Sequence, residues 1–148
     1  MYPTLLFLHL AAAIIWVGGM FFAYYCLRPA AGQTLEPPLR LPLWVATFKP
    51  FFRYVAVAVV LIVGSGFGMM LPVGMGASPL GWLLMMVLGL VMAAVFVYVY
   101  WILYPGLVRH TEAAAWPAAA ATLNSIRRLV ALNLLLSVVV VMAAVSAR

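Results

Sequence analysis

The chain has 148 residues, of which 69% are hydrophobic and only 7% are charged, whereas soluble domains contain roughly 45–50% apolar and about 25% charged residues. A water-soluble fold is excluded, because a domain of this size would leave long apolar faces in water. The net charge of +6 is scattered over connecting segments, so we expect no nucleic-acid partner, and the single cysteine, Cys26, cannot form a disulfide within the chain.

Four stretches of the sequence are long and apolar enough to cross a lipid bilayer, which takes about 20 residues of α-helix. They cover residues 4–27, 54–71, 80–104 and 129–145. We therefore predict an all-α integral membrane protein in which residues 1–148 form a single domain, a four-transmembrane-helix bundle embedded in the lipid bilayer.

The first span is predicted to be a retained helix and not a signal peptide, because it has no basic leader and its apolar run exceeds the roughly 7–15 residues of such peptides. The connection that follows, residues 35–42, is rich in proline, which removes hydrogen-bond donors and clashes with the preceding turn. This connection is predicted to be a kinked loop. Residues 43–54 mix apolar and basic side chains, which predicts a segment at the membrane surface that leads into the second span.

The second half of the chain has two further local signals. Residues 72–79 are rich in glycine and proline and carry no charge, which predicts a tight link between the second and third spans. Trp116-Pro117 is typical of a helix start. We predict that this last helix runs along the cytoplasmic surface before it enters the bilayer at Arg128.

The basic residues predict the topology of the chain in the membrane. Seven of the eight basic residues lie in the connections that follow the first and third spans: Arg28, Arg40, Lys49, Arg53, Arg109, Arg127 and Arg128. Because such residues concentrate on the cytoplasmic side, both connections are placed there, and both termini, with Arg148, are placed outside. We expect a multi-pass protein of the bacterial inner membrane with periplasmic termini.

His9 has the widest chemical range of the side chains within the spans, where ionisable residues are costly and usually functional. Spacings of three and four residues place it on one helix stripe with Ala12, Ala13, Trp16, Gly19 and Met20. Trp16 falls near the middle of the bilayer, so its indole N–H needs an acceptor inside the bundle, and the stripe is predicted to face protein. His9 is then a metal or haem ligand, a proton carrier, or a hydrogen-bonding partner of a neighbouring helix.

Most of the methionines are predicted to lie on the same side of the membrane as His9. Seven of the nine do so: Met1, Met69, Met70, Met75, Met85, Met86 and Met142. Imidazole binds copper, and the soft thioether sulfur favours Cu(I). We predict a Cu(I) site at the outer face, formed by His9 with some of Met69, Met70, Met85, Met86 and Met142. Flexible packing is the alternative role of these methionines.

The remaining polar and small residues of the spans suggest helix packing. Asn133 and Ser137 lie one turn apart on the fourth span, which favours hydrogen bonds between helices. Gly64 and Gly68 form a small-xxx-small pair, which predicts close packing within the bundle or between the protomers of a homodimer. His110 is predicted to be a solvated loop residue.

The sequence offers no clear catalytic machinery. Both acidic residues, Glu36 and Glu112, lie outside the spans, and no carboxylate pair, nucleophile–base pair or zinc-ligand spacing is found. Hydrolysis is therefore not favoured, and no catalytic residue is assigned.

The first span carries a motif in His9-Leu-Ala-Ala-Ala-Ile-Ile-Trp16-Val-Gly-Gly19-Met-Phe-Phe22, continued by Leu27-Arg28-Pro29. This stretch resembles the first helix of CopD-type copper-resistance membrane proteins. Ile126-Arg127-Arg128-Leu129-Val130 and Asn133 are similar to the fourth helix of small members of that group. The resemblance implies a four-helix membrane protein that handles copper.

The wider superfamily includes the HemJ-type protoporphyrinogen oxidases, which also place a histidine seven residues before a tryptophan on their first helix and are thought to bind haem through it. This likeness implies that His9 is an axial haem ligand, with Trp16 beside the cofactor. The sequence departs from the HemJ pattern at residues 96–101, where aromatic and apolar residues stand in place of a second histidine or lysine.

Three functions are therefore compatible with the sequence. In the first, a CopD-like inner-membrane protein binds or transfers Cu(I) at its outer face, together with a copper donor or acceptor protein. In the second, a membrane oxidoreductase holds a b-type haem through His9. In the third, the chain is a cofactor-free membrane assembly subunit.

Overall fold

The computed structural model describes residues 2–147, apart from the side chain of Met75. Met1 and Arg148, which entered the predictions above, lie outside the described residues. Within the described range the chain is helical and contains no β-strand. Its elements are α1 (Tyr2–Phe22), a π-helical turn (Ala23–Leu27), α2 (Arg28–Thr34), α3 (Pro37–Met70), a 3-10 turn (Met75–Ala77), α4 (Leu80–Tyr98), a second π-helical turn (Val99–Leu103), α5 (Tyr104–Glu112) and α6 (Trp116–Ser146).

These elements form four long helices, because α1 continues into α2 and α4 continues into α5. The four helices cover Tyr2–Thr34, Pro37–Met70, Leu80–Glu112 and Trp116–Ser146. Each is long and apolar enough to cross a membrane, and each overlaps one of the four predicted spans. The predicted fold class, an all-α membrane protein with four transmembrane helices, is confirmed.

Each of the two π-helical turns comes shortly before a proline, Pro29 or Pro105. A proline inside a helix has no N–H to donate, and its ring clashes with the carbonyl group four residues earlier. A widened turn relieves this clash and lets the helix continue. For this reason the two prolines do not end the helices in which they lie.

The first connection is almost entirely helical, which corrects the prediction of a kinked loop over residues 35–42. Only Leu35 and Glu36 lie outside the helices. Pro37 and Pro38 occupy the first turn of α3, where backbone N–H groups have no helical partner in any case and proline is well tolerated.

The segment over residues 43–54 is helical and buries one face in the core, while its basic residues Lys49 and Arg53 are exposed. Trp44, Phe48 and Phe52 are buried. The ring of Phe52 stacks on Phe48 at 4.7 Å between centroids and meets Tyr104 edge-on at 5.3 Å. Aromatic residues at helical spacing therefore bind this segment into the bundle, although basic residues lie between them.

The last helix begins at Trp116, as predicted. It then continues without interruption to Ser146. Its first turns bury Ala119 and Ile126 and pack against α5. The turns before Arg128 therefore belong to the same helix as the fourth span and pack within the bundle.

The bundle consists of two helical hairpins. In the first hairpin α1 packs against α3, and in the second α4 and α5 pack against α6. Residues 71–79 join the two hairpins and form the predicted tight link. Among the hydrogen bonds of residues 2–147, the bond that the Tyr104 hydroxyl donates to the Val45 carbonyl, at 3.2 Å, is the one that joins the two hairpins.

The antiparallel helices give the bundle two distinct ends. Gly68 of α3 lies against Leu5 of α1, and Gly81 of α4 lies against the backbone of Ala143 in α6. The start of α1, the end of α6 and residues 71–79 are therefore at one end, which we call the termini end. The opposite end carries the two tight turns between helices and most of the basic residues, and we call it the basic end.

Candidate functional site

His9 lies on α1 near the termini end, where its imidazole ring contacts α3. Nδ1 is 3.0 Å from the carbonyl oxygen of Ile62 and 3.0 Å from the hydroxyl oxygen of Ser65. Ser65 is buried, with 5% of its surface exposed, whereas His9 is half-buried. The predicted contact between His9 and a neighbouring helix is therefore present.

The partners of Nδ1 determine which ring nitrogen carries the proton. A carbonyl oxygen only accepts hydrogen bonds, so Nδ1–H is the donor to Ile62. The Ser65 hydroxyl donates to the carbonyl groups of Leu61 and Ile62, which leaves its lone pairs available to Nδ1–H. In the neutral ring Nε2 then carries the free lone pair, and Nε2 forms no hydrogen bond with any of residues 2–147.

This arrangement matches the usual support of a metal-binding histidine, in which one ring nitrogen donates to a carbonyl group and the other nitrogen binds the metal. The bond to Ile62 fixes both the tautomer and the orientation of the ring. The hydrogen bonding between the two helices therefore leaves Nε2 of His9 without a partner among the described residues.

Two glycines of α3 allow α1 to approach closely. A Cβ atom at Gly66 would lie 3.4 Å from Cε1 of His9, and one at Gly68 would lie 3.3 Å from Leu5. Gly64, in contrast, has nothing within 4 Å of its Cβ position. Of the predicted pair, Gly68 therefore packs within the chain and Gly64 remains open, while Gly66 makes the contact with the histidine.

The stripe that follows His9 along α1 faces protein, as predicted. Ala12, Trp16 and Met20 are all buried, and a Cβ atom at Gly19 would overlap the ring of Phe51. Trp16 packs edge-on against Phe96, with 6.2 Å between ring centroids. Within residues 2–147 no acceptor is paired with the indole N–H of Trp16, so its predicted hydrogen bond is not made by the chain.

The five methionines predicted as copper ligands all lie in helical turns close to the termini end, but they belong to different helices and differ in exposure. Met69 lies one turn beyond Ser65 on the face of α3 that contacts α1, and it is half-buried. Met70 is buried. Met85 and Met86 are half-buried on α4, in the second hairpin. Met142 on α6 is 64% exposed.

Comparison with protein families identifies the chain. The family model of copper resistance protein D, CopD, matches residues 45–147. The chain belongs to the CopD family. It is thus a multi-pass copper-resistance membrane protein. No curated protein and no solved structure matches the chain.

The match to the CopD family covers most of α3 and all of α4 to α6. It does not extend to α1, where His9 and Trp16 lie. The matched part contains Ser65 and all five predicted methionine ligands. Among the described residues of this CopD-family chain, no three His, Cys, Asp or Glu side chains come together.

The polar residues of α6 behave largely as predicted. The side-chain amide of Asn133 donates to the carbonyl group of Met92 on α4, at 3.2 Å. Its Oδ1 atom is buried and has no hydrogen-bond partner among the described residues. Asn133 and Trp16 both line a small cavity of about 20 Å³. Ser137 bonds instead to Leu134 in its own helix. The interhelical role is therefore confirmed for Asn133 alone.

His110 lies in α5, at the basic end. It is half-buried in a helix, which corrects the prediction of a loop residue. Being at the opposite end of the CopD-family bundle, His110 takes no part in the arrangement around His9.

Sequence reasoning missed a second polar site of this CopD-family chain, at the basic end. Three arginines from different helices converge on one cavity with two tyrosines of the first π-helical turn: Arg28, Arg40, Arg127, Tyr24 and Tyr25. In the sequence analysis these arginines served as markers of topology, and Arg28 and Arg127 also as part of the motifs that resemble CopD proteins. The nearest sequence signal was the placement of Arg28 and Arg40 on either side of the proline-rich turn.

Proposed function

We propose that this CopD-family chain binds Cu(I) at its termini end, on the outer side of the membrane, and passes the ion on by ligand exchange. His9 supplies the imidazole ligand through Nε2. The observation that supports this role is the double contact of Nδ1 with the Ile62 carbonyl and the Ser65 hydroxyl, both at 3.0 Å. That contact orients the ring and leaves Nε2 without a protein partner.

Met69 is the best placed partner of His9 in this proposal. It follows Ile62 and Ser65 at spacings of seven and four residues on α3, so the three residues share one helix face. Met69 therefore lies one turn nearer the termini end than Ser65, on the side that contacts α1. Thioether sulfur combined with imidazole is a ligand set that suits Cu(I).

The other four methionines would offer the copper ion further ligands along a path that leads away from His9. Met70 lies beside Met69 in the first hairpin, whereas Met85, Met86 and Met142 belong to the second. A copper ion that exchanges Met69 for a methionine of α4 would cross from one hairpin to the other. Weak, multiple ligands favour such exchange, because an ion that is held loosely at several sites can also leave them.

The proposed direction of transfer is inward, towards a soluble copper acceptor protein. In this proposal copper is the transported ion and not a permanently bound cofactor. The basic end repels cations, because it carries most of the positive charge of the chain, so release at that end requires a partner that takes the ion directly.

The deciding experiment measures Cu(I) binding to the detergent-purified protein in competition with a chromogenic Cu(I) chelator under anaerobic, reducing conditions. We expect one Cu(I) per chain, with affinity at least tenfold weaker in His9→Asn. The matched control is His110→Asn, which removes the other histidine, at the opposite end, and should bind as the wild type does.

Two outcomes would contradict the copper proposal. Equal Cu(I) affinity of the wild type and His9→Asn would remove His9 from the site. A Soret absorption band in the purified protein that disappears in His9→Asn would identify the imidazole as a haem ligand and favour the haem-binding function. If His9→Asn and His110→Asn lose Cu(I) binding to the same extent, the loss would reflect a general effect of replacing a histidine.

A further inference from the structure

The cavity at the basic end has a volume of about 510 Å³ and is lined by side chains from three parts of the fold. Arg28 begins α2, Arg40 lies in the second turn of α3, and Arg127 lies in α6. Residues that are distant in the sequence therefore bring three guanidinium groups to one space. Each of these arginines is half-buried.

No acidic side chain of the described residues lines the cavity. The chain has only two acidic residues, of which Glu36 lies one turn before Arg40 and is exposed. The charges of Arg28 and Arg40 lie close enough to act on that of Arg127. Partly buried like charges repel one another, so an anion in the cavity would relieve an unfavourable arrangement.

The guanidinium group of Arg127 also has an unused donor. Its Nε atom is buried and has no hydrogen-bond partner among the described residues, although a buried polar group ordinarily has one. The carbon at the centre of the group lies 6.0 Å from the ring centre of Trp44. Arg28 lies 4.9 Å over the ring of Tyr24. Aromatic rings thus hold two of the three guanidinium groups in position without neutralising them.

The depth of the cavity matches the level of lipid headgroups. About 20 residues of helix cross the hydrocarbon layer, so a span that begins near Thr4 reaches the opposite surface near Tyr24. Arg28 lies one turn further along the same helix. Tyr24 and Tyr25 are aromatic residues of the kind that concentrate at this interface. Basic pockets between transmembrane helices at this level bind anionic headgroups.

We propose that this arginine cavity binds the phosphate group of an anionic phospholipid. Guanidinium groups offer paired N–H donors whose geometry matches phosphate oxygens, and three of them supply more donors than one phosphate can use. The phosphate neutralises part of the converging positive charge. The fatty-acid chains of the lipid extend from the cavity along the apolar surface of the first hairpin. The bound lipid fixes the basic end at the membrane surface, and this role is independent of copper.

The test uses delipidated, detergent-purified protein and follows its unfolding by tryptophan fluorescence. The three probes are short-chain phosphatidylglycerol, short-chain phosphatidylcholine and inorganic phosphate. We expect phosphatidylglycerol to raise the melting temperature in a saturable way, and phosphatidylcholine to have a much weaker effect. Phosphorus analysis of the protein purified without delipidation should give at least one lipid phosphate per chain.

Matched variants test whether the stabilisation by phosphatidylglycerol depends on the cavity. Arg127→Gln should weaken the response to phosphatidylglycerol about tenfold or more, because it removes a charged donor from the site. Arg128→Gln removes the same charge from the next residue, which is exposed and does not line the cavity, and should respond as the wild type does. Arg28→Gln and Arg40→Gln provide the same test should Arg127→Gln fail to fold.

The outcomes separate the sources of the phosphate. Stabilisation by inorganic phosphate that equals that by phosphatidylglycerol would keep the phosphate site but overturn the lipid as its source. No stabilisation by either probe would overturn the site itself. An equal loss of response in Arg127→Gln and Arg128→Gln would also overturn it, because the effect would then reflect general surface charge.

Discussion

The contacts of a single imidazole ring bear on both the structural role and the proposed ligand role of His9. Nδ1 of His9 joins α1 to α3 through Ile62 and Ser65, which is a structural role. The same bonds leave Nε2 as the nitrogen with a lone pair, which is the requirement for a ligand. Structural and ligand roles of His9 are therefore compatible, although the sequence presented them as alternatives.

Replacement of Ser65 tests the support of the ring without changing the ligand. Ser65→Ala removes the hydroxyl beside Nδ1 but retains the Ile62 carbonyl. We expect Cu(I) affinity to fall by about tenfold, the lower limit for loss of a group that orients a metal-binding histidine. The Cu(I) affinity of this variant is again measured by competition with the chromogenic Cu(I) chelator.

The control for this replacement is Ser137→Ala. Ser137 is as buried as Ser65, with 5% of its surface exposed, and it bonds only to its own helix. The variant Ser137→Ala should leave the Cu(I) affinity unchanged. A similar loss in both variants would indicate that any buried hydroxyl in the bundle has this effect, and the assigned role of Ser65 would be wrong.

At the level of the helices, the most demanding contact is that of Gly81 in α4. A Cβ atom at this position would overlap the backbone oxygen of Ala143 and the side chain of Ala147. Backbone atoms cannot move aside as a flexible side chain can, so Gly81→Ala must displace α6 from α4. We expect this variant to lose about 1–3 kcal/mol of stability, measured by thermal or denaturant unfolding in detergent.

Gly89→Ala is the internal reference for that prediction. Gly89 is in the same helix and has nothing within 4 Å of its Cβ position, so alanine should be neutral or slightly stabilising, since it favours helix more than glycine does. Equal stability of the two variants would show that α4 and α6 are not in such close contact at Gly81.

The sequence was sufficient to predict the four helices, because each span is an apolar run long enough to stand out from the rest of the chain. It was not sufficient to predict how far the helices extend beyond those runs. Pro37 and Pro38 looked like helix breakers, yet their effect depends on position in the helix, and they occupy a first turn. Trp44 and Phe48 were hidden among prolines and basic residues, where average hydropathy is low.

The two polar sites differ in how far the sequence could predict them. His9 was identifiable because it is an isolated ionisable residue in a span, but its partner Ser65 lies on another helix and had no signal of its own. The arginine cavity depends on residues 28, 40 and 127, which are brought together only by the packing of the two hairpins. Motifs and helical periodicity, which are read within one segment at a time, give no sign of such a convergence.

For the whole molecule, the arrangement in the membrane remains a prediction from the basic residues. Two alanines test it in a background without Cys26: Ala77 in the link at the termini end and Ala113 in the turn at the basic end, both exposed. We expect a membrane-impermeant maleimide to label Ala77→Cys in intact cells, and to label Ala113→Cys only after permeabilisation. The reverse pattern would place the termini and His9 on the cytoplasmic side.

The two hairpins are fastened to each other unevenly. The hydrogen bond from Tyr104 to Val45 and the aromatic contacts around Phe52 lie towards the basic end, whereas His9 bonds within its own hairpin. Noncovalent contacts between the hairpins are therefore concentrated near the arginines, whereas at the termini end the hairpins are joined covalently by residues 71–79. Any movement that separates Met69 from Met85 and Met86 is limited by the reach of this nine-residue link.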